Sequence, residues 1–320
     1  MILKESKYLI YDQPKKVGLK LFAKKIVSLL QRGYYKLIYY LCKPKKIVGN
    51  KYKVSICAIF KDEADYLQEW IEFHRIVGVE HFYLYNNNSS DNYIHVLKPY
   101  IDQGIVSLIN WPKPQSQMEA YQDFMNNNAS ETEWVGFIDL DEYVIPNENS
   151  TIYDFLKKFK NRPAVIIYWK CFGTSGYIKR DVKRLITEDF VVAWNKYVDI
   201  GKFFFNTKYN YTPNLTQNNY MHYMWAKYKN MELPPVNVFD KVCTYGFNPV
   251  KDDSMPIQIN HYLIKSYEEY TQKKAKRGGG VHPVGMHDYE YFYEHESKCQ
   301  STDYHAYKYL IKLKLAMKDK

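Results

Sequence analysis

The sequence has few cysteines and no long apolar run, and both shortages exclude classes of protein. Its five cysteines are odd in number and contain no closely spaced pair, which excludes a disulfide framework or a CxxC zinc site and favours a reducing compartment. No apolar stretch reaches the roughly 18–20 residues that cross a bilayer. The N-terminus also lacks the uncharged core and cleavage site of a secretory signal. These absences predict a cytoplasmic protein.

Acidic residues are scarce at the start of the chain. The first 50 residues carry 12 basic and two acidic side chains, and the other 270 carry 33 of each sign, so the net charge of +10 belongs to the N-terminal segment. Because the remainder is neutral, its composition predicts no nucleic-acid partner. Tyrosine is abundant, with 33 residues in 320, which is typical of packed cores and of surfaces that contact polar ligands.

Apolar residues recur at helical spacing over residues 17–42, with lysine and arginine between them. We expect Gly33 to interrupt this helix and Pro44 to end it. A basic amphipathic helix with tyrosines suits the surface of an anionic membrane, so one interpretation is a peripheral membrane contact through residues 15–46. The other is a helix that packs on the body with solvated lysines.

From residue 51 onward, short apolar runs alternate with segments of helical spacing. This alternation predicts an α/β fold with a mainly parallel sheet flanked by helices, and ligands bind such sheets at the carboxyl ends of the strands. Residues 171–260 are less regular and predict loops and short strands over a cleft. The predicted organisation is a basic extension (1–50), a domain over 51–300 with a nucleotide-binding half (51–146) and an acceptor half (147–300), and a basic C-terminal helix (301–320).

The segment Asp139-Leu140-Asp141-Glu142 directly follows an apolar run that predicts a strand. Alternate residues of an extended segment face the same way, so Asp139 and Asp141 can present two carboxylates to one cation. Oxygen ligands suit Mg²⁺ or Mn²⁺. The alternative is a solvated turn or a helix cap.

Further motifs accompany this acidic segment, and together they resemble those of glycosyltransferase family 92, the DUF23-like group of GT-A enzymes close to glycosyltransferase family 2. The resemblance runs in order from about residue 54 to 280 and implies a GT-A-like, Rossmann-like fold. The motifs are Lys61-Asp62-Glu63, Trp70-Ile71-Glu72-Phe73-His74, Ser89-Ser90-Asp91, Asp139-Leu140-Asp141-Glu142, Phe172-Gly173-Thr174-Ser175-Gly176, Asn260-His261-Tyr262, Lys265-Ser266 and Glu268-Glu269.

The resemblance implies a nucleotide-sugar donor and a divalent cofactor, Mn²⁺ or Mg²⁺. Asp141 is the first candidate for metal contact, Asp139 would reach metal or ribose, and His261 is a further ligand unless it is a core imidazole. The nucleotide-sugar site is predicted from Lys61, Asp62, Glu63, Asn86, Asp91, Gln117, Tyr121, Asp139 and Lys265. Asp62 and Asp91 are equally well placed as helix N-caps.

An inverting transfer needs a general base for the acceptor's proton. Glu188 is the first candidate, since it resembles the acidic signature of inverting GT-A enzymes, and Asp189 and Asp181 follow. The alternative for Glu188 and Asp189 is an ordinary exposed acidic pair. An acceptor loop is predicted from Phe172, Gly173, Ser175 and Gly176, and a mobile glycine loop from residues 278–280.

These observations predict a metal-dependent glycosyltransferase. It would move a hexose such as galactose from a UDP-linked donor, with inversion, to a hydroxyl of a glycan or lipid-linked glycan in bacterial capsule or lipopolysaccharide synthesis. It would work in the cytoplasm or at the inner face of the membrane. The alternatives are another metal-dependent nucleotide enzyme, such as a nucleotidyltransferase, and a non-catalytic membrane-associated binding protein.

Overall fold

The computed structural model describes residues 19–42, 44, 49–211, 222–243, 254–277, 285 and 287–318. The helices in this part of the chain are α1 Leu19–Leu41, α2 Ala64–Ile76, α3 Tyr93–Asp102, α4 Gln117–Asn127, α5 Ile152–Leu156, α6 Ile186–Asp189, α7 Tyr267–Glu269, α8 Ala275–Arg277, α9 Tyr289–Ser297 and α10 Tyr307–Lys318. Short 3₁₀ turns cover Ala129–Glu131 and Lys157–Phe159, and a π-helical segment, Tyr270–Lys274, joins α7 to α8.

The strands of the same residues are β1 Tyr52–Phe60, β2 His81–Asn86, β3 Val106–Asn110, β4 Thr132–Phe137, β5 Glu142–Pro146, β6 Ala164–Cys171, β7 Val192–Trp194, β8 Gly201–Asn206, β9 Asn210–Tyr211, β10 Ala226–Tyr228, β11 Met231–Leu233, β12 Val236–Asn237, β13 Ile257–His261 and β14 Cys299–Thr302.

Nine of these strands form one mixed sheet in the order β3-β2-β1-β4-β8-β6-β13-β5, with β12 beside β6. Strands β3, β2, β1 and β4 are parallel, and so are β6 and β13. Strand β8 is antiparallel to both β4 and β6, and β5 is antiparallel to β13 at the far edge. The predicted α/β class with a mainly parallel sheet is confirmed, and strands from both predicted halves belong to one sheet.

Apolar sequence explains the parallel part of this sheet. Strand β2 is buried at all six positions, and β1 is buried through its centre, as expected for parallel strands covered on both faces. Helix α2 packs on them through an apolar face that includes Leu67, Trp70 and Phe73. The core therefore surrounds the strands whose carboxyl ends carry the polar motifs.

Helix α2 also fixes the acidic segment in place. The indole nitrogen of Trp70 donates to the carbonyls of Asp139 (3.1 Å) and Glu142 (2.9 Å). One turn later, Nε2 of His74 accepts a hydrogen bond from the backbone of Val144 in β5. Burial lowers the pKa of His74 to about 3, so the ring is a neutral acceptor. Trp70 and His74 of α2 thus fix the turn between β4 and β5 and the strand that follows it.

One expectation about the chain is wrong, and another is incomplete. Helix α1 runs through Gly33 without interruption. The region 171–260 contributes a central strand as well as loops, because β8 lies between β4 and β6 with all six residues buried. Gly201 opens that strand where an added Cβ would lie 1.9 Å from the carbonyl oxygen of Ile167. The predicted loop at residues 278–280 lies outside the described residues.

Candidate active site

A cavity of about 700 Å³ opens at the carboxyl ends of β1, β4, β6 and β13. One wall comes from the residues after β1 and from the start of α4, including Lys61 and Gln117. Another comes from β6, β7 and α9, including Trp169, Trp194 and His295. This is the edge at which a parallel sheet binds its ligands.

Asp139 lies on the cavity wall and is held by three donors. Its Oδ1 accepts from Gln117 (2.8 Å) and from the hydroxyl of Tyr121 (3.2 Å), and its Oδ2 accepts from Lys202 (2.8 Å). Burial alone would lower the pKa of Lys202, but Asp139 and Glu142 raise it above its usual value. A charged lysine therefore neutralises and orients the Asp139 carboxylate.

Asp141 has a different environment, between an imidazole and a second lysine. Its Oδ1 lies 3.6 Å from Nε2 of His261, and its Oδ2 lies 3.4 Å from Nζ of Lys274. Burial alone would raise the pKa of Asp141, but Lys274 and His261 hold it well below its usual range. Lys274 also donates to the carbonyl of Leu263 (2.8 Å), which places the π-helical segment over the acidic turn.

The residues around Asp141 fit a divalent cation. Asp141, Glu142 and His261 each offer a ligand atom, and these atoms lie within 4.8 Å of one another. Oε1 of Glu142 and Nδ1 of His261 are buried and make no hydrogen bond within the described part of the chain. Carboxylates and imidazole are both common ligands of divalent cations in proteins. Two of the three predicted metal ligands lie in this cluster, whereas Asp139 lies outside it and Glu142, which sequence reasoning did not select, lies within it.

Five of the predicted nucleotide-sugar residues line the cavity: Lys61, Glu63, Gln117, Asp139 and Lys265. Nζ of Lys265 lies 3.8 Å from the centre of the Tyr66 ring and 4.0 Å from Oε2 of Glu63. Burial lowers the pKa of Lys265. Tyr121 lies behind this wall, where its hydroxyl reaches Asp139.

Asp62, Asn86 and Asp91 do not line the cavity and instead connect two loops. Oδ1 of Asp62 accepts from the backbone of Ser90 (2.7 Å), and Oδ1 of Asn86 accepts from Ser89. Oδ2 of Asp91 accepts from the backbone of Ala64 (2.7 Å). The capping alternative thus holds for Asp91, but at the start of α2 and not of its own helix α3. Asp62 is not the N-cap of α2, a position that Glu63 occupies.

The three candidate bases also lie away from the cavity lining. Glu188 pairs with Lys314 (2.5 Å) and Asp189 with Arg184 (2.7 Å), while Oδ1 of Asp181 accepts from the backbone of Lys183. Glu188 and Asp189 lie in the short helix α6. The start of this helix is fixed by Glu69 of α2, whose carboxylate accepts hydrogen bonds from the backbone amides of residues 186 and 187. A catalytic role for the three candidate bases stays a prediction, and this geometry gives it no support.

The predicted acceptor loop contacts α9 and does not itself line the cavity. An added Cβ on Gly173 would lie 2.5 Å from Sγ of Cys299 and 2.6 Å from Oε2 of Glu296. Oγ of Ser175 accepts from the amides of residues 191 and 192. Phe172 is buried, and Gly176 adopts a positive φ of 85°. The loop therefore positions α9, whose Tyr291 and His295 do line the cavity.

Sequence reasoning missed Lys202 and His222. Lys202 has a local signal, since it is the charged residue of the otherwise uncharged strand Gly201–Asn206. Nδ1 of His222 lies 3.1 Å from the carbonyl of Gly201, and its ring packs edge-on against Trp169. Burial and the nearby Lys202 lower the pKa of His222 to about 4, so it is a neutral member of the wall.

Comparison with known proteins identifies the family. The profile of glycosyltransferase family 92 matches residues 50–311. A family 92 protein of Oryza sativa subsp. japonica is 31% identical over 140 residues, which are 42% of this chain and 24% of that protein. One of Ricinus communis is 24% identical over 235 residues, 72% of this chain and 39% of that protein. The beta-1,4-galactosyltransferase galt-1 of Caenorhabditis elegans is 27% identical over 129 residues, 36% of this chain and 30% of that protein.

The chain spans at most 39% of the length of these curated relatives. Similar solved structures include residues 1–349 of TarS from S. aureus in complex with UDP, with a TM-score of 0.31, 14% identity and coverage of 37% of this chain and 36% of that chain. A mannosyltransferase of Pyrobaculum calidifontis in complex with GDP-Man and Mn²⁺ has a TM-score of 0.28, 15% identity and coverage of 45% and 44%.

The mixed sheet, with its cavity at the carboxyl ends of the strands, has the GT-A-like architecture that the resemblance implies. The predicted enzyme class, a glycosyltransferase, is confirmed at the level of the family. Because the family profile covers most of its length, this chain belongs to glycosyltransferase family 92.

Proposed function

We propose that the protein transfers a sugar from a UDP-linked donor to a hydroxyl of a glycan, in a metal-dependent reaction. The observation that carries this proposal is the cluster of Asp141, Glu142 and His261 on the wall of a cavity that also contains Lys265 and Lys274. A cluster of this kind beside two cations suits a diphosphate, which needs positive charge on several sides.

Different residues of the cavity would bind different parts of the nucleotide-sugar donor. A divalent ion, when bound by Asp141 and His261, would offset the charge that develops on the departing diphosphate. Lys265 and Lys274, which line the same cavity, would contact phosphate oxygens. Asp139, held in place by Lys202 and Gln117, would accept a hydrogen bond from a hydroxyl of the nucleotide sugar.

The proposed sugar is a hexose, and galactose is tested first. The relative from C. elegans is named a beta-1,4-galactosyltransferase, which supports this order. The proposed acceptor is a glycan or lipid-linked glycan, and Trp169 and Trp194 on the cavity wall support it, because sugar rings pack on indoles. Bacterial surface polysaccharide, made in the cytoplasm at the inner membrane face, is the narrower proposal, and it rests on the basic N-terminal segment.

Product analysis with a panel of UDP-sugars tests the function. We expect release of UDP in the presence of Mn²⁺, little release with a chelator, and loss of at least about a hundredfold in rate for Asp141→Asn, since a charged candidate ligand is removed. Asp102→Asn is the matched control, because Asp102 forms an exposed pair with Lys98 and neither residue lines the cavity. Release of sugar 1-phosphate, the leaving group when the uridylyl group is transferred from a UDP-sugar, would identify a nucleotidyltransferase, and an Asp141→Asn variant as active as the wild type would also overturn the proposal.

The inverting course has its own test. The anomeric configuration of the product, measured by proton NMR, is expected to be opposite to that of the donor. Retention would show that the resemblance misled on stereochemistry while leaving the donor assignment intact.

A further inference from the structure

Helix α1 carries an exposed apolar surface that the active site does not use. Its side chains recur at helical spacing along one face, so that they form a continuous band, here called the α1 stripe. The stripe consists of Ile26, Leu29, Leu30, Tyr34, Leu37, Tyr40 and Leu41. The exposed fraction of these side chains runs from 45% for Ile26 to 84% for Tyr40. Large apolar side chains this exposed, side by side, indicate a binding surface.

The opposite face of α1 is anchored to the body. The hydroxyl of Tyr39 donates to the carbonyl of Pro234 (2.5 Å), and the Tyr39 ring is almost fully buried. Tyr35 packs edge-on against Trp225, with ring centres 6.2 Å apart, and Cys42 is buried at the end of the helix. Because these contacts fix the rotation of α1, the stripe faces away from the body.

The positive charge of α1 favours an anionic partner for the stripe. The helix contains four lysines, one arginine and no acidic residue. A second copy of this helix would bring like charges together, which opposes pairing of two stripes. Among the described helices, none combines the length and hydropathy needed to cross a bilayer. An exposed apolar face on a helix of this net positive charge matches the boundary between anionic headgroups and acyl chains.

We propose that the α1 stripe inserts into the surface of an anionic phospholipid bilayer, with α1 lying in the membrane plane. The leucines of the stripe enter the acyl boundary, Tyr34 and Tyr40 lie at headgroup depth, and the exposed Lys36 faces lipid phosphates. The active site is then held beside the membrane, whatever acceptor it uses.

Vesicle sedimentation of the full chain tests this surface. The probes are vesicles of phosphatidylcholine alone and vesicles of equal parts phosphatidylcholine and phosphatidylglycerol. The test variant is Leu30→Glu with Leu37→Glu. The matched control is Ile311→Glu with Leu315→Glu, which introduces the same two charges at exposed aliphatic side chains of α10. The exposed fractions are 70% for Ile311 and 57% for Leu315.

The wild type and the α10 control are expected to bind the anionic vesicles and to bind neutral ones at least about tenfold more weakly, with binding that weakens as salt is raised. The α1 variant is expected to lose at least about tenfold in partition coefficient. Circular dichroism and UDP release with a soluble acceptor check that each variant is folded, and these readouts do not depend on the membrane.

Three results would overturn the proposal. The wild type could fail to bind anionic vesicles, or the α1 variant could bind as well as the wild type, or both variants could lose binding equally. A wild type that dimerises through the stripe, with a monomeric α1 variant and no vesicle binding, would assign the stripe to a contact between copies instead.

Discussion

Lys202 shows how a single buried side chain organises the site. Only 1% of its side chain is exposed, and its Nζ lies 2.8 Å from Asp139 and 4.0 Å from Glu142. Removing a buried cation leaves its carboxylate partners without a counter-charge, which costs more than the pair itself contributes. Asp139 was identifiable from its spacing to Asp141, but Lys202 is 63 residues away in sequence, and no local pattern links the two.

Lys202→Met should lower the free energy of unfolding by about 3 kcal/mol, at the low end for a buried pair because a third of the Asp139 side chain is exposed. Urea denaturation at neutral pH measures this. Lys98→Met, which breaks an exposed pair, should change the free energy by less than about 0.5 kcal/mol. Equal stability of the Lys202 variant and the wild type would show that Asp139 needs no counter-charge.

The roles of the two aspartates can be separated by metal titration. Asp141→Asn and His261→Ala should weaken Mn²⁺ binding at least tenfold, because each removes a candidate ligand atom. Asp139→Asn should change the Mn²⁺ affinity less than about threefold, since Asp139 lies outside the cluster and is held by Lys202. Electron paramagnetic resonance of Mn²⁺ measures all three. A large loss in Asp139→Asn would restore it as a metal ligand.

His74 predicts a pH dependence of stability. Burial lowers its pKa from 6.5 to about 3, so the folded state binds its proton less readily than the unfolded state. The contribution is fully present above pH 6.5 and is lost as the pH falls towards 3. Between pH 7 and pH 5, this residue should account for about 2 kcal/mol of lost stability. His74→Gln should reduce the number of protons taken up on unfolding near pH 5 by about one, so its free energy of unfolding should depend less steeply on pH. An unchanged pH dependence in that variant would contradict the assignment.

At the scale of elements, β1 to β4, β6 and helices α2 to α5 followed from apolar runs and helical spacing, and the structure confirms them, whereas β5 was not predicted. Strand β8 did not follow, because its place between β4 and β6 is set by antiparallel pairing with distant residues. The acidic pair of α6 resembled a catalytic motif in sequence, but the direction of that short helix turns Glu188 towards Lys314 of α10. The orientation of a short helix depends on tertiary packing, which a sequence motif does not reveal.

The π-helical segment Tyr270–Lys274 places a lysine beside the candidate metal ligand Asp141. Nζ of Lys274 lies 3.4 Å from Asp141, and π-helical turns occur often at functional sites. Lys274→Met should raise the Mn²⁺ affinity of the nucleotide-free protein about threefold to tenfold and should weaken binding of the UDP-sugar. Calorimetric titration of each ligand measures both. Lys276→Met, at an exposed position two residues further on, is the control. Weaker Mn²⁺ binding and tighter UDP-sugar binding by Lys274→Met would rule out this role for Lys274.

For the whole molecule, one sheet and one principal core join the two predicted halves. The core cluster includes Val54 of β1, Phe204 of β8, Ile259 of β13 and Leu313 of α10. We expect one cooperative unfolding transition in urea, with coincident midpoints from far-ultraviolet circular dichroism and from tryptophan fluorescence. Separate midpoints would show that the division at residue 146 marks independent folding units.

The pairing of β5 has a consequence for biosynthesis. In the described residues, β5 lies at the sheet edge and takes its ladder hydrogen bonds from β13. Strand β5 ends at Pro146 and β13 begins at Ile257, so a ribosome must add about a hundred further residues before β5 can pair. A nascent chain released before that point carries both aspartates but lacks His261, and it exposes an unpaired apolar strand to chaperones and proteases.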